Sequence, residues 1–395
     1  MTQNTVLSLM SHLTRADRTG RSYICAMKTH FSTIVIGAGQ AGLAAGYYLK
    51  RSGEDFLIID ENPELGYSWK KRWDTLKLFT PRWADGLPGM RFTEAAGKFP
   101  GKDAMADYLQ RYAAENALPV FLNVRVGRLL NWLSGYRIET REGIIFTCKN
   151  VIVATGNFST PRIPELAKYL DNGIHQIHSS EYRNSRRLPS GPILVVGAGT
   201  SGLQIALDVA ASGRKTYVAG TPPHKVPDFA VRYMARPVFW FMRNMLTIKT
   251  RPGRKVAHKM KVEGQAAPLI NISLEQVTAA GVEHLPRLES VREGYPSFRM
   301  GDINKQEPEC VTRVPLRVAG VIWCTGYDRD LSWIELDHVV DEQGYPLTYC
   351  GVSARHEGLY FMGMAFQYSL ASVMINGVGR DARYIVRHIR DRRHW

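Results

Sequence analysis

The 395 residues are enough for about two or three domains, and an apolar share of 45 % beside 22 % charged residues excludes disorder over most of the chain. Five scattered cysteines, none in a CxxC spacing, exclude a disulfide framework and a zinc or other metal site and fit a reducing, cytoplasmic compartment. No apolar run reaches ~18 residues, which excludes a spanning helix, and the net charge of +15 leaves polyphosphate cofactors, an acidic membrane surface, nucleic acid or plain solubility as readings.

In chain order, residues 1–30 read as a disordered extension, and Met27, opening "MKTHFSTIVIGAG", has the look of a natural start. "STIVIG" then predicts a buried strand, "QAGLAAGYYLKRSG" a helix ended by Gly53, and "DFLIID" a second strand. β-Branched runs without alternation suit a parallel sheet covered on both faces. Residues 192–219 repeat the plan as "ILVVG", "TSGLQIALDVAASG" and "KTYVAG", so the chain carries two copies of one βαβ opening. Two more apolar strands end in Thr-Gly, at Thr155-Gly156 and Thr325-Gly326. They mark where the chain crosses between domains. The expected division is a first domain of 31–164 and 316–395 and a second of 165–315.

Each repeat places Gly-x-Gly-x-x-Gly between a strand and a helix, the context in which this motif binds a dinucleotide. The first glycine of each (Gly37, Gly197) permits the tight turn. The second (Gly39, Gly199) lets the backbone approach a pyrophosphate, and the third (Gly42, Gly202) lets helix and strand pack closely. Gln40 and Ala41, and Thr200 and Ser201, then open the helices whose N-terminal amides would receive the phosphates. Asp60, at the end of the second strand, suits the ribose hydroxyls of FAD or NAD. The equivalent stretch of the second unit has no acid before Asp228 and has Arg214, Lys215, His224 and Lys225 nearby, which favours NADPH, with NADH a second candidate. Two dinucleotides on one chain imply hydride transfer from a nicotinamide to a flavin. With no cysteine pair to receive the electrons, molecular oxygen is the remaining common acceptor.

The first loop "GAGQAG", "GYSWKKRWDTLKLFTP" (66–81), "ATG" (154–156), "HSSEYR" (178–183), the second loop "GAGTSG" and "CTGY" (324–327) occur in that order. In this the chain resembles the class B flavoprotein monooxygenases: flavin-containing monooxygenases, with Baeyer–Villiger and plant auxin-forming enzymes as relatives. The resemblance runs from about residue 31 onward and is strongest to small bacterial members. It implies an α/β fold with two dinucleotide-binding (Rossmann-like) domains of the glutathione-reductase type, FAD in the first and NADPH in the second. It also implies a reaction in which reduced FAD and oxygen give a C4a-(hydro)peroxyflavin that oxygenates a small soft nucleophile or a ketone, in a site kept dry. By the same resemblance His178 and Tyr182 belong to the fingerprint between the domains, with a hinge or a catalytic role. Asn172 and Ile174 stand where the family has Phe and Gly. Trp69 and Arg72 line the flavin, with Trp69 counted among the catalytic candidates. Phe79, also counted among the catalytic candidates, occupies the position of a family asparagine near the flavin, which leaves sulfur or ketone oxidation more open than amine oxidation. Thr155, Gly156, Thr325, Gly326 and Lys225 join the cofactor set, and a helix starting around Gln367–Ser369 would aim its N-terminus at the flavin. Two other readings stay open: an NADPH oxidase or electron donor that never oxygenates, and a nucleotide-sensing regulator of a transporter.

Residues 225–261 form an insert with ten Lys/Arg and one acid. By spacing, Arg232, Arg236 and Arg243 share a helical face, and Pro237 kinks or splits the helix. The insert reads, in descending order, as a packed element with solvated charges, a lid, or a peripheral membrane contact. The expected partners are a small-molecule substrate and oxygen, with a homodimer left open and nucleic acid excluded by the lack of any reading motif.

Overall fold

A computed structural model describes residues 28–93, 98–157, 160–261, 267–300 and 312–392. All but the last three residues of the expected N-terminal extension lie outside this set, and the first strand opens at His30. The chain begins β1 (His30–Ile36), α1 (Gln40–Arg51), β2 (Phe56–Ile59), α2 (Lys102–Glu115), β3 (Val120–Phe121), β4 (Val126–Trp132), β5 (Gly135–Thr140) and β6 (Ile145–Val153). After β7 (Thr160–Pro161) come β8 (His175–His178), β9 (Ile193–Val196), α3 (Thr200–Ala210) and β10 (Thr216–Ala219). The insert supplies α4 (Asp228–Tyr233), α5 (Ala235–Asn244) and α6 (Arg251–Lys261). Then follow α7 (Leu274–Ala279), β11 (Glu283–Leu285), β12 (Ser290–Arg292), β13 (Tyr295–Met300), β14 (Thr312–Pro315), β15 (Gly320–Trp323), β16 (Tyr327–Asp328), β17 (Thr348–Tyr349), β18 (Val352–Ser353), β19 (Leu359–Phe361) and α8 (Ile375–Arg392).

Two open sheets organise these elements. In the first, β19, β6, β1, β2 and β3 run parallel side by side, extended by β17–β18 at one edge and by the β4–β5 hairpin on β6. In the second, all five strands are parallel, in the order β11-β10-β9-β15-β8. β2, β9 and β15 are buried along their whole length, as strands covered on both faces must be, and their sequences are uniformly apolar for that reason. β5 alternates buried and half-buried positions because one of its faces is open. α8 buries Ile375, Val378, Ala382, Ile385, Val386 and Ile389. This i, i+3, i+4, i+7 stripe packs on α1 over the first sheet.

Three expectations change. β15 pairs with β9 and β8, so the segment expected to return to the first domain at 316 still belongs to the second sheet. A short, fully apolar strand reads the same in either sheet, and pairing alone decides. The long C-terminal helix starts at Ile375; Gln367–Ser369 instead lead into a 3-10 turn, Leu370–Val373, capped by the Ser369 hydroxyl on the Ala371 amide. The insert does split, but at Met234, so that Pro237 falls in the first turn of α5, where its missing N–H is not needed. Arg232 therefore sits on a different helix from Arg236 and Arg243, and the expected shared face is broken.

Candidate active site

The two glycine loops have matching geometry. Gly37 has φ +105° and Gly197 φ +117°. A Cβ on either would lie 2.5 Å from the Ala154 carbonyl oxygen or 2.4 Å from that of Cys324, the residue ending the neighbouring strand. A Cβ on Gly42 or Gly202 would fall 1.8 or 1.7 Å from the carbonyl oxygen of Gly37 or Gly197. Gly39 and Gly199 differ: they are extended (φ −74° and −77°), and a Cβ there would meet nothing within 4 Å. Both stand at helix N-termini with no side-chain cap and no acid in the first turn. The amides opening α1 (Gln40, Ala41) and α3 (Thr200, Ser201) thus face open space with the positive end of the helix dipole behind them. This is the arrangement a pyrophosphate needs.

The strand ends separate the two sites. Asp60, after β2, accepts from the Ala38 amide at 2.6 Å through one oxygen and from the Asn62 amide and side chain at 2.8 and 2.7 Å through the other. It is held against the first loop with lone pairs left for ribose hydroxyls. β10 ends at Ala219-Gly220 with no carboxylate; His284 of β11 reaches across to bond the Gly220 carbonyl at 2.8 Å. Arg214 and Lys215 are not at this end. Arg214 bonds Ser212 and the Leu188 carbonyl, and Lys215 bonds Glu283, all at the entry to β10. They therefore give no support to NADPH over NADH; His284 is a basic side chain at the exit, bonded to Gly220. His284 was missed because it comes from the next parallel strand, which no local spacing reveals.

The two crossings run side by side. β7 and β16 pair as an antiparallel ribbon, the Thr325 hydroxyl donates to the Arg162 carbonyl, and the Arg162 amide donates to the Gly326 carbonyl at 3.0 Å. Thr155 is exposed beside Gly156, whose φ is +80°. The next residue, Asn157, donates to the Gly363 carbonyl at 3.0 Å while its own oxygen is buried without a partner. Gly363 in turn lies against Ala41: a Cβ on it would be 3.2 Å from the Ala41 methyl. Gln367 is 5 % exposed, and both of its amide atoms lack partners. Buried unpaired amides are costly. Beside the first loop, that of Asn157 fits a polar dinucleotide.

His178 is fully buried. The Ser180 amide donates to its Nδ1 at 3.2 Å, which leaves Nε2–H to donate to the Gly326 carbonyl at 3.0 Å. Burial lowers its pKa and keeps the ring neutral. Its ring packs edge-on against Tyr327, whose hydroxyl accepts from Arg72 at 2.6 Å. Tyr182 donates to Asp208 on α3, and burial pushes its hydroxyl pKa further up. Both side chains are hydrogen-bonded across the crossing, His178 to the Gly326 carbonyl and Tyr182 to Asp208. His178→Ala is expected to cost about 2–4 kcal/mol in urea unfolding, with the pH dependence of turnover unchanged.

Trp69 sits on a helical turn, Tyr67–Lys70, and packs with buried Trp73 in the core beside α1. Phe79 packs instead with Phe239, Met242, Phe366 and Met374, where the insert meets the C-terminal turn. Nearby, Asp85 is wholly buried, accepts from the Thr80 hydroxyl, and is pushed up to about 7 by burial. Nothing in the sequence signalled it. The structure thus brings the first-loop residues, Asp60, Asn157 and Gly363 together. It places the second-loop residues and His284 on the other sheet, and puts Phe79 in a separate apolar layer.

Residues 34–281, more than half of the chain, match the family model "Pyridine nucleotide-disulphide oxidoreductase". The chain is 36 % identical to the uncharacterized CzcO-like oxidoreductase of Geobacillus kaustophilus, over 90 % of this chain and 97 % of that one. It is 25 % identical to the probable indole-3-pyruvate monooxygenase YUCCA9 of Arabidopsis thaliana, over 87 % of this chain and 86 % of that one. Its fold is similar to that of the flavin-containing monooxygenase from Stenotrophomonas maltophilia, with a TM-score of 0.72, 24 % identity, and coverage of 92 % of this chain and 99 % of that one. Two matched dinucleotide cradles on two parallel sheets, in a chain with these relatives, have one assignment: the chain belongs to the pyridine nucleotide-disulphide oxidoreductase family, as an FAD- and NAD(P)H-using oxidoreductase of the class B flavin monooxygenase type.

Proposed function

We propose that the protein uses NADPH and oxygen to oxygenate a small, fairly apolar substrate, a soft nucleophile or a ketone. In the balanced reaction NADPH supplies two electrons, one oxygen atom enters the substrate and the other leaves as water. FAD, when bound, supplies the redox chemistry between nicotinamide and oxygen. The residues that would hold it are Gly37, Gly39, Gln40, Ala41, Gly42 and Asp60, with Thr155, Gly156, Asn157 and Gln367 at the flanks. Gly197, Gly199, Thr200, Ser201, Gly202, Lys225 and His284 would hold NADPH. His178, Tyr182, Arg72, Thr325 and Gly326 fix the relation of the two sheets, so that the two cofactor rings meet in one orientation. Trp69 and Trp73 contribute apolar walls that keep water out.

The observation that carries this reading is the pair of open, uncapped helix N-termini behind Gly39 and Gly199. Disulfide reduction, which the family name includes, finds no support. The cysteines stand singly in the sequence, and burial pushes the thiol of Cys324 up to about 12 and those of Cys148 and Cys350 upward as well. Such thiols are poor nucleophiles. The test is anaerobic mixing of the flavin-loaded protein with NADPH, then with oxygenated buffer. We expect rapid bleaching of the flavin, then a long-lived absorbing species distinct from oxidised and reduced flavin. Immediate return of oxidised flavin with release of peroxide would instead support the oxidase reading.

A further inference from the structure

We propose that the face formed by α5, α8 and the C-terminal end of α1 docks onto an anionic lipid bilayer. A groove of about 470 Å³ runs between α1 and α8. Arg51, Arg380, Arg383, Arg387 and Arg390 line it together with Tyr48, Tyr368 and Tyr384, and no carboxylate does. Asp391 pairs with Arg387 and Arg390 at 3.5 and 3.2 Å at the outer end, and Arg380 contacts buried Asp381 at 3.5 Å. Among the described residues Arg383 makes no ion pair. The groove reaches Arg51 and Ser52 at the end of α1 away from the first glycine loop, and its lining includes none of the glycine-loop residues.

A second observation meets it. α4 and α5 expose large apolar side chains in succession: Phe229 at 61 %, Tyr233 at 75 %, Trp240 at 59 % and Phe241 at 46 %. Trp240 and Arg243 are three residues apart and so share a side of α5. The Arg243 carbonyl accepts from Arg380 at 2.5 Å, which joins α5 to the groove. The Lys249 ammonium lies over the rings of Tyr368 and exposed Tyr349, at 5.3 and 5.9 Å, along the same margin. α6 adds Arg251, Arg254, Lys255 and Lys259 on its exposed side while Val256 and Met260 turn inward.

Contiguous exposed aromatics on a protein surface mark something they bury against. Here the apolar knobs adjoin arginine forks, which pair with phosphate oxygens, and amphipathic aromatics beside basic residues suit the headgroup region of an anionic leaflet. A free phosphate would use the arginines and leave the aromatics in water. A second copy of the chain would set the same arginines and the same net charge of +15 against themselves.

The test is flotation of the full-length, flavin-loaded protein with vesicles of phosphatidylcholine alone or of phosphatidylcholine and phosphatidylglycerol in equal parts. Binding is expected with the anionic vesicles only, falling as salt shortens the Debye length from about 10 Å to about 3 Å. Arg383→Ser with Arg387→Ser should weaken partition roughly thirtyfold. Trp240→Ser with Phe241→Ser should weaken it at least about tenfold, and Arg383→Lys with Arg387→Lys should keep most of it. Flavin content and reduction by NADPH should stay unchanged in all three. The proposal is overturned by equal binding to neutral vesicles or by undiminished binding of the serine variants. It is overturned equally by thermal stabilisation with inorganic pyrophosphate in the absence of vesicle binding, or by a Trp240-dependent dimer on size exclusion.

Discussion

Gly199→Val is expected to abolish reduction of the flavin by NADPH while leaving the flavin bound. The backbone at Gly199 is extended, a conformation valine prefers, and a Cβ there meets no atom within 4 Å. The fold therefore tolerates the side chain. What it fills is the space in front of the Thr200 and Ser201 amides, where a pyrophosphate would lie. We expect the apparent affinity for NADPH to fall by roughly two orders of magnitude, equivalent to about 3 kcal/mol. Reduction by dithionite and thermal stability should be unaltered. Gly202→Val gives the contrast, since its Cβ would sit 1.7 Å from the Gly197 carbonyl oxygen, and that overlap forces helix and strand apart. It should destabilise the protein by several kcal/mol, so loss of activity there would carry no information about NADPH. Unchanged NADPH reduction in Gly199→Val would show that the second loop does not hold the nicotinamide nucleotide.

Asp85→Asn is expected to stabilise the protein at alkaline pH and to do little in acid. Burial raises the folded-state pKa of Asp85 from 3.8 to about 7. Its contribution to stability is therefore fully present below about pH 4 and is lost as pH rises through 7, because the buried carboxyl must then ionise. A shift of this size is worth roughly 4 kcal/mol at pH 8. Asparagine keeps the hydrogen bond to Thr80 and has no charge to bury. Urea unfolding of both proteins at pH 5 and at pH 8 should show the variant's advantage larger at the higher pH, by roughly 3 kcal/mol. A constant difference across that range would mean that Asp85 does not titrate in this window.

The parts of the fold that follow from local rules were readable in the residues. The two glycine loops belong here, because turn, close approach and helix packing each demand a glycine at a fixed spacing. So do the apolar strands on either side of them. What could not be read depends on partners distant in sequence. β15 has the composition of either sheet, and only its hydrogen bonds to β9 and β8 place it. Arg214 and Lys215 stand five and four residues before Ala219 and so lie at the opposite end of β10 from the second glycine loop. His284 reaches Gly220 from a strand more than sixty positions later. Asp85 looks like a turn residue, and only the packing above it makes it a buried acid.

Under the proposed function, electrons from NADPH carry one oxygen atom into a substrate. This is tested most directly by turnover under ¹⁸O₂ with a small apolar sulfide and, separately, a ketone, counting NADPH consumed, peroxide released and product formed. One of the two should give product with a single ¹⁸O atom, formed in step with NADPH oxidation and with little peroxide. NADPH oxidised with all of its electrons recovered as hydrogen peroxide, and no label in either substrate, would contradict it.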